Sequence, residues 1–174
     1  MMTRQFDELV DEILDERNDR SLIILCSSII DEQLYSILNA YLIKPLKKDD
    51  DLLKGDNPLS TFSSRIKMIY RIGIIDNSFR EVLDNVRKIR NMSAHSVELN
   101  LTKSPIKDHI LSLKKSVVNR PSFDLTKKRF FEDNVNNSNE VKAFFVTICV
   151  ILEAINNSIT KINGNEKTII ISKK

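Results

Sequence analysis

Seven apolar residues near the carboxyl end of the sequence repeat at spacings of four and three, and this seam constrains the fold more than any other feature. They are Val141, Phe145, Ile148, Leu152, Ile155, Ile159 and Ile162. Such spacings place side chains on one face of an α-helix. A seam of about six turns needs a long apolar partner helix, either within the chain or in a second subunit. The sequence therefore predicts a helical bundle.

Other stretches with helical periodicity precede this seam, and few residues interrupt them. The sequence holds only three glycines and four prolines, which disfavours an all-β or disordered chain. Helices are predicted over residues 4–17, 20–43, 58–72, 78–95 and 141–162. The second is apolar on all sides in its first half, so it is expected at the centre. We predict an all-α fold, a single compact bundle of about five main helices.

Capping patterns and weak periodicity define the expected boundaries. Asn57-Pro58 is typical of a cap and first helical residue, and Ser78 with Glu81 of a capping box. Residues 96–138 are predicted to form a polar loop region, with one short helix within residues 105–118. The bundle domain is assigned to residues 1–164 and a C-terminal tail to residues 165–174, in which residues 168–171 could form a short strand.

Cysteine usage and apolar run length indicate a cytoplasmic protein. Cys26 and Cys149 lie in apolar helical patterns, which predicts buried, inert thiols. We find neither a secretory signal nor a C-x-x-C spacing. The longest uninterrupted apolar runs fall short of the roughly 20 residues that a membrane span needs. We therefore expect no membrane association.

Charge is distributed unevenly although the net charge is only +3. Residues 1–19 carry two basic and seven acidic side chains, whereas residues 103–130 carry eight basic and two acidic ones. A basic stretch of that kind could contact phosphate, or it could be a solvated lysine-rich surface. We find no helix-turn-helix with a basic recognition helix. The sequence thus predicts that binding to duplex DNA is absent, or weak and sequence-independent.

Polar chemistry concentrates in residues 87–95, at the end of the fourth predicted helix. Helical geometry places Arg90 on the apolar face of that helix, where an unpaired charge would cost several kcal/mol, to order of magnitude. Asn91 and His95 are four residues apart and therefore adjacent on its flank. The segment offers a guanidinium, an amide and an imidazole.

The sequence also predicts a structural polar cluster, in which Arg90 of that segment lies with Asp31, Glu32 and Arg65. Glu32 is predicted to pair with Arg90 or Arg65 inside the bundle, so that Glu32→Ala would destabilise by roughly 3 kcal/mol. Paired carboxylates at Asp31 and Glu32 could also suggest acid–base chemistry or a metal. No further carboxylate or histidine stands at ligand spacing, so we predict neither a metal nor another cofactor.

Three blocks of sequence together resemble one bacterial family, the mannitol operon repressor (MtlR-like) proteins. The blocks are Asn18-Asp19-Arg20-Ser21 through Asp31-Glu32-Gln33-Leu34, then Pro58-Leu59-Ser60-Thr61-Phe62-Ser63-Ser64-Arg65-Ile66, then Arg87-Lys88-Ile89-Arg90-Asn91-Met92-Ser93-Ala94-His95. They span about half of the chain. The resemblance implies an all-α protein that negatively regulates a sugar-uptake operon. Contacts with a protein partner are the expected means, because the sequence supplies no DNA-reading helix.

The third block resembles, more loosely, the R-x-x-x-x-H motif of HEPN domains. That resemblance implies an alternative, a metal-independent endoribonuclease of the toxin or defence type, often dimeric, with Arg90, Asn91 and His95 as the catalytic residues. A histidine can act on the ribose 2′-hydroxyl, and an arginine can stabilise the charged phosphorane. Residues five apart on an ideal helix point about 140° from each other, so the motif requires a helix end or bend before His95.

Self-association is the last expectation. Val150, Ile151 and Phe144 widen the closing seam beyond one stripe. A bundle of this size has limited surface to bury two nearly all-apolar helices. The sequence therefore predicts exposed apolar area and a homodimer.

Overall fold

The computed structural model describes residues 4–45, 47, 51–96, 99, 101, 103–131 and 137–163. This part of the chain is all-α, as predicted, with seven helices. They are α1 (Arg4–Asp15), α2 (Asp19–Tyr41), α3 (Phe62–Arg71), α4 (Asn77–His95), α5 (Ile106–Val117), α6 (Pro121–Phe130) and α7 (Asn137–Asn163). The tail assigned to residues 165–174, the strand within it and the helix stop at Gly164 lie outside the described residues.

The two long apolar helices, α2 and α7, pack against each other and form the centre of the core. The Gln33 side-chain amide donates to the Cys149 carbonyl at 3.0 Å. Lys142, seven residues before Cys149, reaches the Leu14 carbonyl at the end of α1, just before α2 begins. The amino-terminal parts of α2 and α7 therefore lie at the same end of the bundle, so the two helices run in the same direction. The predicted long partner of the closing helix is therefore α2.

The remaining helices cover this pair on different sides. Helices α3 and α4 pack on α2 and on each other, α5 lies between α4 and α7, α6 packs on α7, and α1 contacts both central helices. Helix α1 joins α2 through Asn18, whose side chain accepts from the backbone N–H groups of Arg20 and Ser21. Lys142 of α7 donates to the Leu14 carbonyl at 2.5 Å and so satisfies an acceptor at the end of α1.

Two predicted helix starts are wrong because other side chains cap those helices. Helix α3 begins after Thr61, which forms a reciprocal capping box with Ser64, and not at Asn57-Pro58. Helix α4 begins after Asp76, whose carboxylate accepts from the Phe79 N–H at 2.7 Å, and not at Ser78. The chain leaves α3 through Gly73, whose φ of 75° suits a residue without a Cβ.

The short helix predicted within residues 105–118 is confirmed, because residues 106–117 form α5. The loop predicted around it is wrong at residues 121–130, which form α6. Helix α6 starts with Pro121 in its first turn, where the missing N–H is not needed. It buries Phe123 and Thr126 against α7. Packing on the helix that follows it thus orders a segment whose own apolar pattern is weak.

Helix α2 and residues Glu140–Lys161 of α7 are long and apolar enough to cross a membrane by length and composition. About half of each apolar window is buried inside the bundle, at 56% and 50%. The core helix of a water-soluble protein meets the same criterion, so length and composition are weak evidence for a membrane span.

Candidate functional site

The segment that carries the polar motif, residues 87–95, forms the last turns of α4. Arg90, Asn91 and His95 are all exposed. The prediction that Arg90 faces the core is therefore wrong. In these turns the buried positions are Ile89 and Ser93, so the covered face has shifted round the helix and leaves Arg90 outside it.

Helix α4 continues without a break to His95, so Arg90 and His95 diverge by about 140° around its axis. Arg90 Nη1 instead lies 3.4 Å from Asn91 Oδ1, its neighbour in sequence. Asn91 and His95 share one side of the helix because they are four residues apart. Within one chain the helix thus does not gather the arginine and the histidine of the motif.

The structure brings together two members of the predicted polar cluster, Asp31 and Arg65. Arg65 Nη1 donates to Asp31 Oδ1 at 2.7 Å, and Arg65 is only 9% exposed. Glu32 is exposed on α2, and Arg90 is exposed on α4. The prediction of a buried Glu32 pair is therefore wrong, because Asp31, its neighbour, faces α3 and provides the carboxylate.

Arg65 also organises the connection between α2 and α3. Its Nε donates to the Leu59 carbonyl at 3.1 Å and its Nη2 to the Leu53 carbonyl at 3.2 Å. The guanidinium carbon lies 5.3 Å from the ring centroid of Tyr35. A guanidinium with this set of contacts ties the segment to two helices, which is a structural role.

Several cations of the basic stretch meet carboxylates of the same chain. Arg129 Nη2 lies 2.8 Å from Oδ1 of Asp7 on α1, and Lys114 Nζ lies 2.6 Å from Oε1 of Glu140 on α7. Acidic α1 and basic α6 therefore meet at one edge of the bundle. These pairs reduce the positive charge that the stretch presents to phosphate.

An apolar groove between α6 and α7 is the feature that the sequence reasoning missed; we call it the α6–α7 groove. It comprises two adjoining cavities of about 520 and 590 Å³ that share Leu125 and Val150. The second extends along α7 past Ile151 and Ile155. The widened seam of α7 was the sequence signal for this surface, but the groove also needs Leu125 of α6, a helix that was not predicted.

A polar cavity of about 460 Å³ lies at the start of α2. It is lined by Arg17, Asn18, Asp19, Arg20 and Leu99. Leu99, which follows the end of α4 by four residues, is the member of this lining that lies outside residues 17–20.

The two thiols are buried, as expected. Burial raises the pKa of Cys149 to about 12, and burial also raises the pKa of Cys26 well above its ordinary value. Both therefore stay protonated and unreactive near neutral pH. Among the described residues, no group of three or more His, Cys, Asp or Glu is placed to hold a metal ion.

The fold is shared with solved bacterial proteins. One chain in the X-ray structure of the MtlR–HPr complex from Escherichia coli superposes with a TM-score of 0.59 at 17% identity, covering 91% of this chain and 99% of its own. YggD, a possible transcriptional regulator from Shigella flexneri 2a, superposes with a TM-score of 0.63 at 17% identity, covering 86% and 97%. No family model and no curated protein sequence matches the chain. At this identity the likeness establishes a common fold with regulator-like proteins.

Proposed function

We propose that this chain is a cytoplasmic regulatory protein that lowers expression of a sugar-uptake operon by binding another protein. The observation that carries the proposal is the fold, which is shared over 91% of the chain with a chain of the MtlR–HPr complex. The fold likeness to YggD and the three sequence blocks support the same class.

The surface of α4 supports contact with a protein more than sequence-specific contact with DNA. Its face formed by Phe79, Leu83, Val86 and Ile89 is buried in the bundle, so it is not a free recognition helix. Two of its cations, Arg80 and Arg87, lie within 3.0 and 3.5 Å of Asp84. Charge of this kind gives weak, salt-dependent attraction rather than base readout.

The test is a calorimetric titration of the chain with HPr from the same organism, because HPr is the protein named with MtlR in that complex. We expect saturable binding with 1:1 stoichiometry per chain. A titration without heat or saturation at about millimolar concentration would contradict the choice of partner. A parallel titration with operator duplex should give only weak affinity, about 10⁻⁴ to 10⁻⁶ M, that falls with salt.

A homodimer is part of the proposal. Large apolar side chains remain exposed at the end of α2 and in the segment after it, where Ile43 is 97% and Leu52 is 47% exposed. A two-fold contact is the commonest way to cover such a surface. Light scattering should give twice the 20.1 kDa chain mass, and Ile43→Ser should return the monomer. A monomer mass for the unmodified chain at about tens of micromolar would contradict it.

The second candidate function is a metal-independent endoribonuclease. The exposure of Arg90, Asn91 and His95 favours it, since the packing of the bundle does not use these three side chains. Because Arg90 and His95 diverge on α4, such a site would need residues from two chains. Cleavage of labelled RNA in the presence of a chelator, lost in His95→Ala, would establish this activity. Intact RNA with the dimeric protein would count against it.

A further inference from the structure

We propose that the α6–α7 groove is a docking site for an amphipathic helix of a partner protein, with acidic side chains flanking the apolar stripe of that helix. The inference rests on the proposed function in one respect, namely that the partner is a protein. It adds the surface and the chemistry of the segment that binds there.

The floor of the groove lies beside the buried face of α7. Phe145, Ile148 and Leu152 are fully buried in the core. Val150, Ile151 and Ala154 line the groove together with Ile155, which belongs to the closing seam. The apolar surface of α7 is therefore wider than the face that the core buries.

Helix α6 covers this wider apolar surface of α7 only in part. Phe123 packs on Phe144 with ring centroids 5.8 Å apart. Leu125, two residues further along α6, is 68% exposed although it borders both cavities. An aliphatic side chain held in this way at the edge of an apolar groove gains free energy when a partner removes it from water.

The rim beside this floor is basic. Lys128 and Arg129 line the cavity next to Val150 and are both exposed. Cations beside an apolar floor fit an apolar stripe that is flanked by carboxylates. Arg129 already meets the carboxylate of Asp7 on α1, which is an acidic amphipathic helix, so Lys128 is the cation that the carboxylates of the partner would meet.

The stretch of α7 from Val150 to Ile159 that lines the groove is about 14 Å long, which matches a partner helix of about three turns. In this mode of binding, apolar residues at i, i+3, i+4 and i+7 occupy the groove. The flanking carboxylates would then face Lys128.

The experiment titrates the full chain with a fluorescent 14-residue designed helix, which carries leucine at those four positions and glutamate beside them. A matched peptide carries lysine in place of each glutamate. We expect fluorescence anisotropy to show saturable binding of the first peptide and at least about tenfold weaker binding of the second. Equal affinity for both peptides, or no binding of the first, would overturn the proposal.

Two substitutions at exposed positions locate the site without disturbing the core. Leu125→Ser and Lys128→Glu should each weaken binding of the glutamate peptide by about tenfold. Leu111→Ser is the matched control, because Leu111 is 45% exposed on α5 and does not line the groove. Unchanged affinity in both groove variants, or an equal loss in the control, would overturn the assignment.

Other occupants give distinct results, each of which contradicts the proposal. If a second copy fills the groove, Leu125→Ser will convert a dimer to a monomer in light scattering. If the chain's own C-terminal residues fill it, replacing Ile169, Ile170 and Ile171 by serine will tighten peptide binding. The HPr titration tests a different proposal. Peptide binding without HPr binding refutes HPr as the partner and leaves the docking site supported. HPr binding without peptide binding refutes the docking site and leaves HPr supported as the partner.

Discussion

Arg65 and Asp31, which lie 34 positions apart in the chain, form the ion pair that joins α3 to α2, with Nη1 and Oδ1 separated by 2.7 Å. The Arg65 side chain is 11% exposed and that of Asp31 30%, so water screens the pair only in part. The same guanidinium holds two backbone carbonyls of the connecting segment. One side chain therefore fixes two helices and the segment between them.

Arg65→Ala should lower the free energy of unfolding by about 2 to 3 kcal/mol, because it removes three hydrogen bonds and leaves Asp31 without its cation. Urea denaturation followed by circular dichroism measures the change. Glu32→Ala is the control and should change stability by no more than about 0.5 kcal/mol, since Glu32 is exposed. Equal effects of the two substitutions would show that Arg65 does not hold the connection.

Alkaline pH should destabilise the protein through its buried thiols. The pKa of a cysteine thiol in the unfolded chain is about 8.5. Burial raises the pKa of Cys149 in the folded protein to about 12. Between these values the unfolded state has lost the proton that the folded state keeps, so stability falls with rising pH by about 1.4 kcal/mol per unit for each such thiol.

Urea midpoints measured at about pH 8 and about pH 10.5 test this relation. The midpoint should fall more steeply in the unmodified protein than in Cys149→Ala. Parallel slopes would mean that the thiol ionises without unfolding. Below about pH 8.5 the contribution of Cys149 is complete, and the slopes should coincide there.

Phe123→Ala should detach α6 before the rest of the bundle unfolds. Phe123 is 4% exposed and packs on Phe144, and α6 has its main contacts with α7. Loss of the ring should cost about 3 kcal/mol of local stability. Amide hydrogen exchange should then accelerate in residues 121–130 while α2 and α7 stay protected. The groove-side control, Leu125→Ala, should leave exchange in α6 nearly unchanged, and a uniform acceleration along the chain would contradict a local effect.

Folding should not depend on the polar motif of α4. Arg90→Ala and His95→Ala should each shift stability by less than about 0.5 kcal/mol, because both side chains are exposed. Ile89→Ala, one position away and fully buried, should cost about 3 kcal/mol. Differential scanning calorimetry separates the two cases. A large loss in His95→Ala would show a packing role that the structure does not contain.

The long periodic elements could be predicted from the sequence because their apolar spacing reflects burial on one face. Helices α2 and α7 were predicted within a few residues for this reason. Helix α6 was not predicted, because it buries only Phe123 and Thr126, and its stability comes from packing on the surface of α7. Local patterns do not contain that contact.

The candidate sites also separate into features that local spacing predicts and features that depend on tertiary packing. The Asp31–Arg65 pair lay within the predicted cluster, whereas Glu32 and Arg90 proved exposed. Spacing alone puts Arg90 on the face of Phe79, Leu83 and Val86. Which part of that face is covered depends on where the neighbouring helices end. The α6–α7 groove depends on α6 in the same way, so it could not be assigned before the fold.

The parallel packing of α2 on α7 has a consequence for the order of events during synthesis. The hydrogen bond from Gln33 to Cys149 spans 116 positions, so the two central helices meet only after α7 has been translated. Helices α1, α3 and α4 precede α7 and can pack on α2 before then, but the face of α2 that contacts α7 stays without its cover. Closing a loop of that length costs entropy before any core contact compensates, so folding should be slower than in bundles built from neighbouring hairpins. The α7-facing side of α2 is therefore the surface of the nascent chain most exposed to aggregation until α7 emerges.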